Sequence, residues 1–202
     1  MSWRPGQVRL LSDRLVLRRF ASADVDDLVR LNADEGVLRF LARHPPSRGA
    51  VTAELSQVID AYDEHPGFGR FAAQDAAGRF LGWFGLVVDE RGTGSPELGY
   101  RLRRAMWGNG LATEGSQALV DEAFAELGAE RVRAETMVVN AASRRVLDKV
   151  GMRHVRTLHK HFEDSLPGTE QGEACYQITR AQWSAQRSKQ RAAGTRLSGR
   201  GP

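Results

Sequence analysis

Between a strand-like run, ELGYRLRR (97–104), and a long amphipathic stretch, LATEGSQALVDEAF (111–124), the chain makes a four-residue turn, Trp107-Gly108-Asn109-Gly110. Leu119, Ala123 and Leu127 mark one side of the helix that this stretch predicts. A strand, ERVRAETMVV (130–139), a short helix, NAASRRVLDKV (140–150), and a further strand, MRHVRTLHKHF (152–162), come next. Strand, turn, helix and strand in that order can supply a parallel pair joined by a crossover helix.

The remaining segments read as α/β elements. RLVLRRF (14–20) alternates Leu15 and Leu17 against Val16 and Arg18 and predicts a strand. ASADVDDLVRLNAD predicts a helix with Ser22 as its candidate N-cap and Val25, Leu28 and Val29 on its apolar face. VTAELSQVIDAYDEH (51–65) predicts a second helix, stopped at His65-Pro66-Gly67. FGRFAAQD and FLGWFGLVVDE, with Gly78 in the turn between them, read as an antiparallel hairpin. EACYQIT (173–179) is the last expected strand and RAQWSAQ (180–186) a terminal helix. The expected class is therefore α/β (α+β). A single domain spans 12–186, between an N-terminal extension at 1–11 and a tail at 187–202.

The turn at 107–110 admits two readings. A helix start carries N–H groups without intrahelical partners and a partial positive charge, and glycines let a ligand approach the backbone, so the turn can cradle phosphate. Equally, it can be a tight strand-to-helix connection that needs positive φ. Other phosphate motifs fail. No Gly-x-x-x-x-Gly-Lys-Ser/Thr is present, and the near match to Gly-x-Gly-x-x-Gly ends on Thr113 and follows the wrong strand for a dinucleotide fold.

Composition narrows the class. The formal charge is +4, yet Arg187, Lys189, Arg191, Arg196 and Arg200 lie in an acid-free C-terminal stretch and more than account for it. The basicity belongs to the tail, expected to be disordered, and nucleic acid is not expected as a partner except weakly through that tail. No run of 18 apolar residues exists, so no membrane span is expected, and the N-terminus lacks the apolar core of a secretory signal. The single cysteine, Cys175, cannot close an internal disulfide and suits a reducing, cytoplasmic setting.

From ELGYRL through VLDKVGM, and more broadly over residues 12–184, the order and spacing of segments resemble the GNAT superfamily of N-acetyltransferases, and within it the RimJ/RimL type. That resemblance implies a GNAT-like mixed central sheet of about seven strands flanked by helices, with acetyl-coenzyme A as cosubstrate and no metal. The family's pyrophosphate motif, Gln/Arg-x-x-Gly-x-Gly/Ala, maps onto Trp107, Gly108, Asn109, Gly110, Leu111 and Ala112. Trp107 replaces the usual polar residue, so the grip is expected from the backbone N–H groups of Gly108 through Thr113. Asn140 resembles the asparagine that contacts the pantetheine arm, and it can also cap the helix. Strand amides near Leu102 would bond the pantetheine and polarise the thioester, provided the strands splay.

Acetyl transfer needs a neutral amine, a stabilised oxyanion and a departing thiolate. Glu97, on one strand face with Gly99 and Arg101, is the preferred base, and Glu135 is the runner-up. Where many relatives place a thiolate-protonating tyrosine this chain has Leu147. Ser143 is the alternative, either as a hydrogen-bond donor to the sulfur or simply as a residue in the first turn of its helix. His154, His159 and His161 lack the partners that would complete a metal site. Trp83 and Phe84 lie on opposite faces, so one of them can line the acceptor pocket. The expected acceptor is a primary amine, either a protein N-terminus or a small molecule, with a homodimer allowed. A non-catalytic acyl-coenzyme A sensor is the rival reading.

Overall fold

The computed structural model describes residues 6–88, 95–160 and 165–198, with side chains through 189. In chain order the elements are β1 (Val8–Leu11), β2 (Val16–Arg19), α1 (Val25–Asn32), α2 (Glu35–Leu38), α3 (Arg48–Glu64), β3 (Gly69–Gln74), β4 (Phe80–Val87) and β5 (Glu97–Leu102). They continue with α4 (Leu111–Ala125), β6 (Arg131–Met137), α5 (Ala141–Val150), β7 (Arg153–Leu158), β8 (Glu173–Thr179) and α6 (Arg180–Ser198).

One eight-stranded sheet runs β1-β2-β3-β4-β5-β6-β8-β7. Every neighbouring pair is antiparallel except β5 and β6, which are parallel and joined through α4. The eighth strand is β1. It lies inside the segment that the sequence set apart as an extension and pairs with β2 from Leu11 opposite Val16. Four residues without alternation give little signal. As an edge strand it also leaves Val8 51% and Leu11 66% exposed.

Alternation on the strands builds two cores. Phe71, Ala73, Phe84, Leu98 and Leu102 meet Leu119, Val120 and Phe124 of α4 and Leu147 of α5 in the larger one. Ala72 and Phe80 join Phe20, Leu31 and Leu55 in the smaller one, under α1 and α3 on the opposite face. Gly115 of α4 sits against the Phe84 ring so tightly that a Cβ there would come within 2.5 Å of it.

Two local expectations are corrected. Ser22 opens a short 3-10 turn whose N-cap is Ala21, and α1 begins after Asp24, whose carboxylate reaches back to accept from the Ala21 N–H at 2.8 Å and pairs with Arg18 at 2.6 Å. The terminal helix runs on to Ser198, into the segment expected to be disordered. Its Ala, Gln, Arg and Lys are strong helix formers, and Trp183 and Arg187 tie its start to Asp121 of α4 at 2.6 and 3.2 Å. Among the described residues no helix is long and apolar enough to cross a membrane.

Candidate active site

The centre of the sheet holds a wedge. β5 and β6 record a single partner pair, Glu97 opposite Arg133, with the Arg133 N–H bonded to the Pro96 carbonyl at 2.9 Å. Beyond that point the strands part. The Arg103 N–H bonds Leu81 of β4 at 2.9 Å, so by alternation the amides of residues 99, 101 and 103 turn toward β4 and those of Tyr100 and Leu102 turn into the wedge. Gly82, at φ 142°, lets β4 approach the Arg101–Leu102 backbone where any Cβ would collide.

The turn that follows is built for backbone exposure. Gly108 (φ 76°) and Gly110 (φ 79°) both occupy the left-handed region, which a residue with a side chain enters only at a cost. Gly110 is the N-cap of α4 with no side-chain cap, and the first intrahelical bond runs from the Glu114 N–H to the Gly110 carbonyl at 3.0 Å. The N–H groups of Leu111, Ala112 and Thr113 therefore point outward at the positive end of a four-turn helix, a geometry that suits an anion.

Two side chains hold this turn in place, and the sequence reading missed the part each plays. Trp107 donates its indole N–H to the Leu102 carbonyl at 2.9 Å. The tryptophan therefore uses its one side-chain donor within the chain, as a clasp between the turn and the end of β5. Arg14 of the β1–β2 connection bonds the Asn109 carbonyl at 2.9 Å and pairs with Glu114 at 2.6 Å, bringing its guanidinium beside Gly110. Burial pushes the Glu114 carboxyl up, but hydrogen bonds from Ser12 and from the Arg14 backbone and side chain outweigh it and hold the group below its ordinary value. Trp107→Ala is expected to raise the KM for acetyl-coenzyme A about fivefold with kcat little changed, the worth of about 1 kcal/mol for one hydrogen bond. Steady-state kinetics at saturating amine checks this.

On the far side of the wedge, Asn140 caps α5 by accepting from the Ser143 N–H at 3.1 Å. Tyr100 of β5 reaches across and donates its hydroxyl to Ser143 Oγ at 3.1 Å. Burial raises the Tyr100 phenol, and the bond to Ser143 pulls the other way. The sequence placed Tyr100 on one face with Leu98 and Leu102, which reads as core. Its partner lies 43 positions away, and no local pattern links them. Leu147 is buried in the core, as an apolar residue at that position should be.

Glu97 is exposed at the paired end of the wedge, on the face of β5 that also carries Gly99 and Arg101. Glu135, the runner-up base, is engaged with Lys160 at 2.6 Å, and that hydrogen bond raises the lysine. The Trp83 ring lies over Gly99, where a Cβ would touch it at 3.7 Å, whereas Phe84 is buried on the other face. His154 contacts Thr157 at 3.2 Å. The 89–94 connection and residues 161–164, His161 among them, lie outside the described residues.

The mixed sheet is thus parted at its one parallel junction, with a glycine turn and an open helix start at the mouth, a geometry suited to an anionic ligand. A family model described as "Acetyltransferase (GNAT) domain" matches residues 14–153, and the chain belongs to that GNAT acetyltransferase family. It is 39% identical over 163 residues to the FsC-acetyl coenzyme A-N(2)-transacetylase of Aspergillus fumigatus, covering 77% of this chain and 69% of that one. Among solved structures, a GNAT-family acetyltransferase from Bacillus anthracis superposes with a TM-score of 0.71 at 20% identity, covering 85% of this chain and 98% of that one. The ribosomal L7/L12 α-N-protein acetyltransferase RimL, solved with coenzyme A, gives 0.73 at 17% identity, with 86% and 98% covered. At these identities the two structures establish the fold.

Proposed function

We propose that the protein moves an acetyl group from acetyl-coenzyme A to a primary amine by direct attack of the amine on the thioester. The Tyr100–Ser143 contact beside the parted strands supports this reading best, because a hydroxyl pair next to the unpaired strand amides suits the chemistry of a thioester. When bound, acetyl-coenzyme A supplies the activated acyl group. The N–H groups of Gly108, Asn109, Gly110, Leu111, Ala112 and Thr113 grip its pyrophosphate, and the Asn140 side chain contacts the pantetheine arm. The Leu102 N–H faces the developing oxyanion.

Donor and acceptor then meet through the sheet. Tyr100 and Ser143 stand on the α4/α5 face, while Glu97 stands on the α1/α3 face. Glu97 takes the proton of the attacking amine, directly or through water, as the C–N bond forms and the C–S bond breaks. With Tyr100 donating into Ser143 Oγ, the serine proton is free for the departing thiolate, which leaves as the C–S bond breaks. Leu147 in place of a tyrosine and tryptophan at position 107 accord with the RimJ/RimL type. Protein N-terminal amines and small amines are both candidate acceptors, and the name of the Aspergillus relative specifies transfer at an N(2) nitrogen.

Mass spectrometry after incubation with acetyl-coenzyme A and a panel of N-terminal peptides and small amines tests the reading. An acetylated amine is expected, whereas coenzyme binding without product from any amine would leave a sensor. Glu97→Gln is expected to lower kcat/KM about 100-fold and Ser143→Ala about tenfold, both with the acetyl-coenzyme A-dependent rise in melting temperature retained. Full turnover in both variants would overturn the residue roles.

A further inference from the structure

On the α1/α3 side of the wedge lies a half-buried cation that no acid among the described residues contacts. Arg101 extends from β5 over the Trp83 ring, its guanidinium carbon 5.5 Å from the ring centroid, and donates through Nη1 to Asn32 Oδ1. Asn32 is neutral and only 4% exposed. The Arg101 Nε is buried and has no hydrogen-bond partner. Arg70 also stacks on Trp83, at 5.1 Å, and it already pairs with Glu54. Phe20, Leu28 and Leu55 complete the walls of a cavity of about 20 Å³ between these groups, room for one oxygen-sized atom.

Counting the charged groups around that cavity, two guanidinium groups face one carboxylate. Buried charges are ordinarily paired, because removing an ion from water costs several kcal/mol. Burial accordingly pulls the Arg101 guanidinium down from its ordinary value, and the nearby Arg70 adds to the effect while Glu54 opposes it. A guanidinium fork held by a neutral amide on one side, with an unsatisfied Nε–H on the other, presents paired donors that a carboxylate's two oxygens can take together.

Position ties this cation to the reaction. Arg101 is the residue between Tyr100 and Leu102, whose amides face the wedge, and it shares a strand face with Glu97. Gly99 lies between them and has no side chain, and the Trp83 ring rests against it, so Glu97 and Arg101 flank that ring on one strand face, about 13 Å apart between their α-carbons. We propose that Arg101 is an acceptor-anchoring residue and that the amine acetylated here belongs to a molecule that also carries a carboxylate. The carboxylate sits on Arg101 while the amine lies toward Glu97. This inference rests on the acetyl-transfer reading above. It selects amino-acid-like acceptors over polyamines, which the same pair of arginines repels.

The test compares matched acceptors. L-Lysine, L-lysinamide and 1,5-diaminopentane carry the same amines with a carboxylate, an amide or neither, and L-alanine against L-alaninamide samples a shorter spacing. A peptide amide beginning with Asp against one beginning with Asn asks whether a side-chain carboxylate serves instead. In the wild-type enzyme the carboxylate member of at least one set is expected to be favoured at least about tenfold in kcat/KM. In Arg101→Gln that ratio is expected to fall to within about twofold of unity, mostly through KM, and Arg101→Lys is expected to keep part of it.

Equal use of charged and uncharged acceptors by the wild type, or an unchanged preference in Arg101→Gln, would overturn the anchor. The wild-type comparison needs no variant to fold, and acetyl-coenzyme A-dependent stabilisation reports separately on the donor site. If acetyl-coenzyme A neither stabilises the protein nor acylates any amine, the acetyl-transfer reading falls and the anchor with it. If amines are acetylated without regard to charge, the anchor alone falls.

Discussion

Gly110→Val is expected to lower acetyl-coenzyme A affinity at least 100-fold and to remove the ligand-dependent rise in melting temperature. Gly110 holds φ at 79° as the residue that opens α4. A β-branched residue there either pays at least 1–2 kcal/mol for the left-handed conformation or reverts to negative φ. Reversion turns the Asn109–Leu111 peptide units and tilts the first N–H groups of the helix away from a shared focus. The new side chain would also stand where a phosphate must approach, 3.5 Å from Arg14 at its Cβ. Gly110→Ala should show a milder version of the same loss, because it carries the strain with less bulk. Isothermal titration of both variants separates strain from obstruction. Wild-type affinity in Gly110→Val would remove the turn from the donor site.

The second large effect concerns stability. Gly115→Leu is expected to lower the unfolding free energy by about 3 kcal/mol or more, the upper end for forcing extra methylenes into a filled core. The Cβ alone would stand 2.5 Å from Phe84, a ring with no exposed surface that is fixed in the middle strand β4. Neither partner can yield, since β4 is paired on both edges and α4 is packed on β4, β5 and α5. Phe84→Ala in the same chain should recover a large share of the loss, as contacting residues couple. Denaturant unfolding of the two single variants and the double variant measures that coupling, and strict additivity would show that the helix does not rest on this ring.

The helices other than the four-residue α2, and the hairpin, followed from periodicity and turn residues, because their signals are local: Leu119 with Ala123, Gly78 in its turn, Asn140 ahead of its helix. The glycine turn could be read as an anion cradle only with the strand before it and the helix after it. The splay between β5 and β6 left no trace, since hydrophobic alternation says which face is buried and nothing about how far two strands stay paired. Tyr100, Arg14 and Arg101 were illegible in a different sense. Each acts through a partner on a distant segment, namely Ser143, Glu114 and Asn32, and strand alternation alone makes Tyr100 a core residue and Arg101 a surface one. Trp107 was noticed as a departure from the motif. Its use as a clasp depended on the Leu102 carbonyl being within reach, which only the folded turn reveals.

The single paired position between β5 and β6 has a mechanical consequence. A sheet normally transmits force through a ladder of hydrogen bonds. Here that ladder is interrupted, and the molecule behaves as two stiff leaves, β1 to β5 and β6 with β8 and β7, pinned at Glu97 and Arg133. The opening angle between the leaves is set by α4, which touches β4, β5 and β6, and by its contact with α5. Stiffness therefore resides in the helices on one face and compliance in the strands beneath them, as in a book held open by its spine.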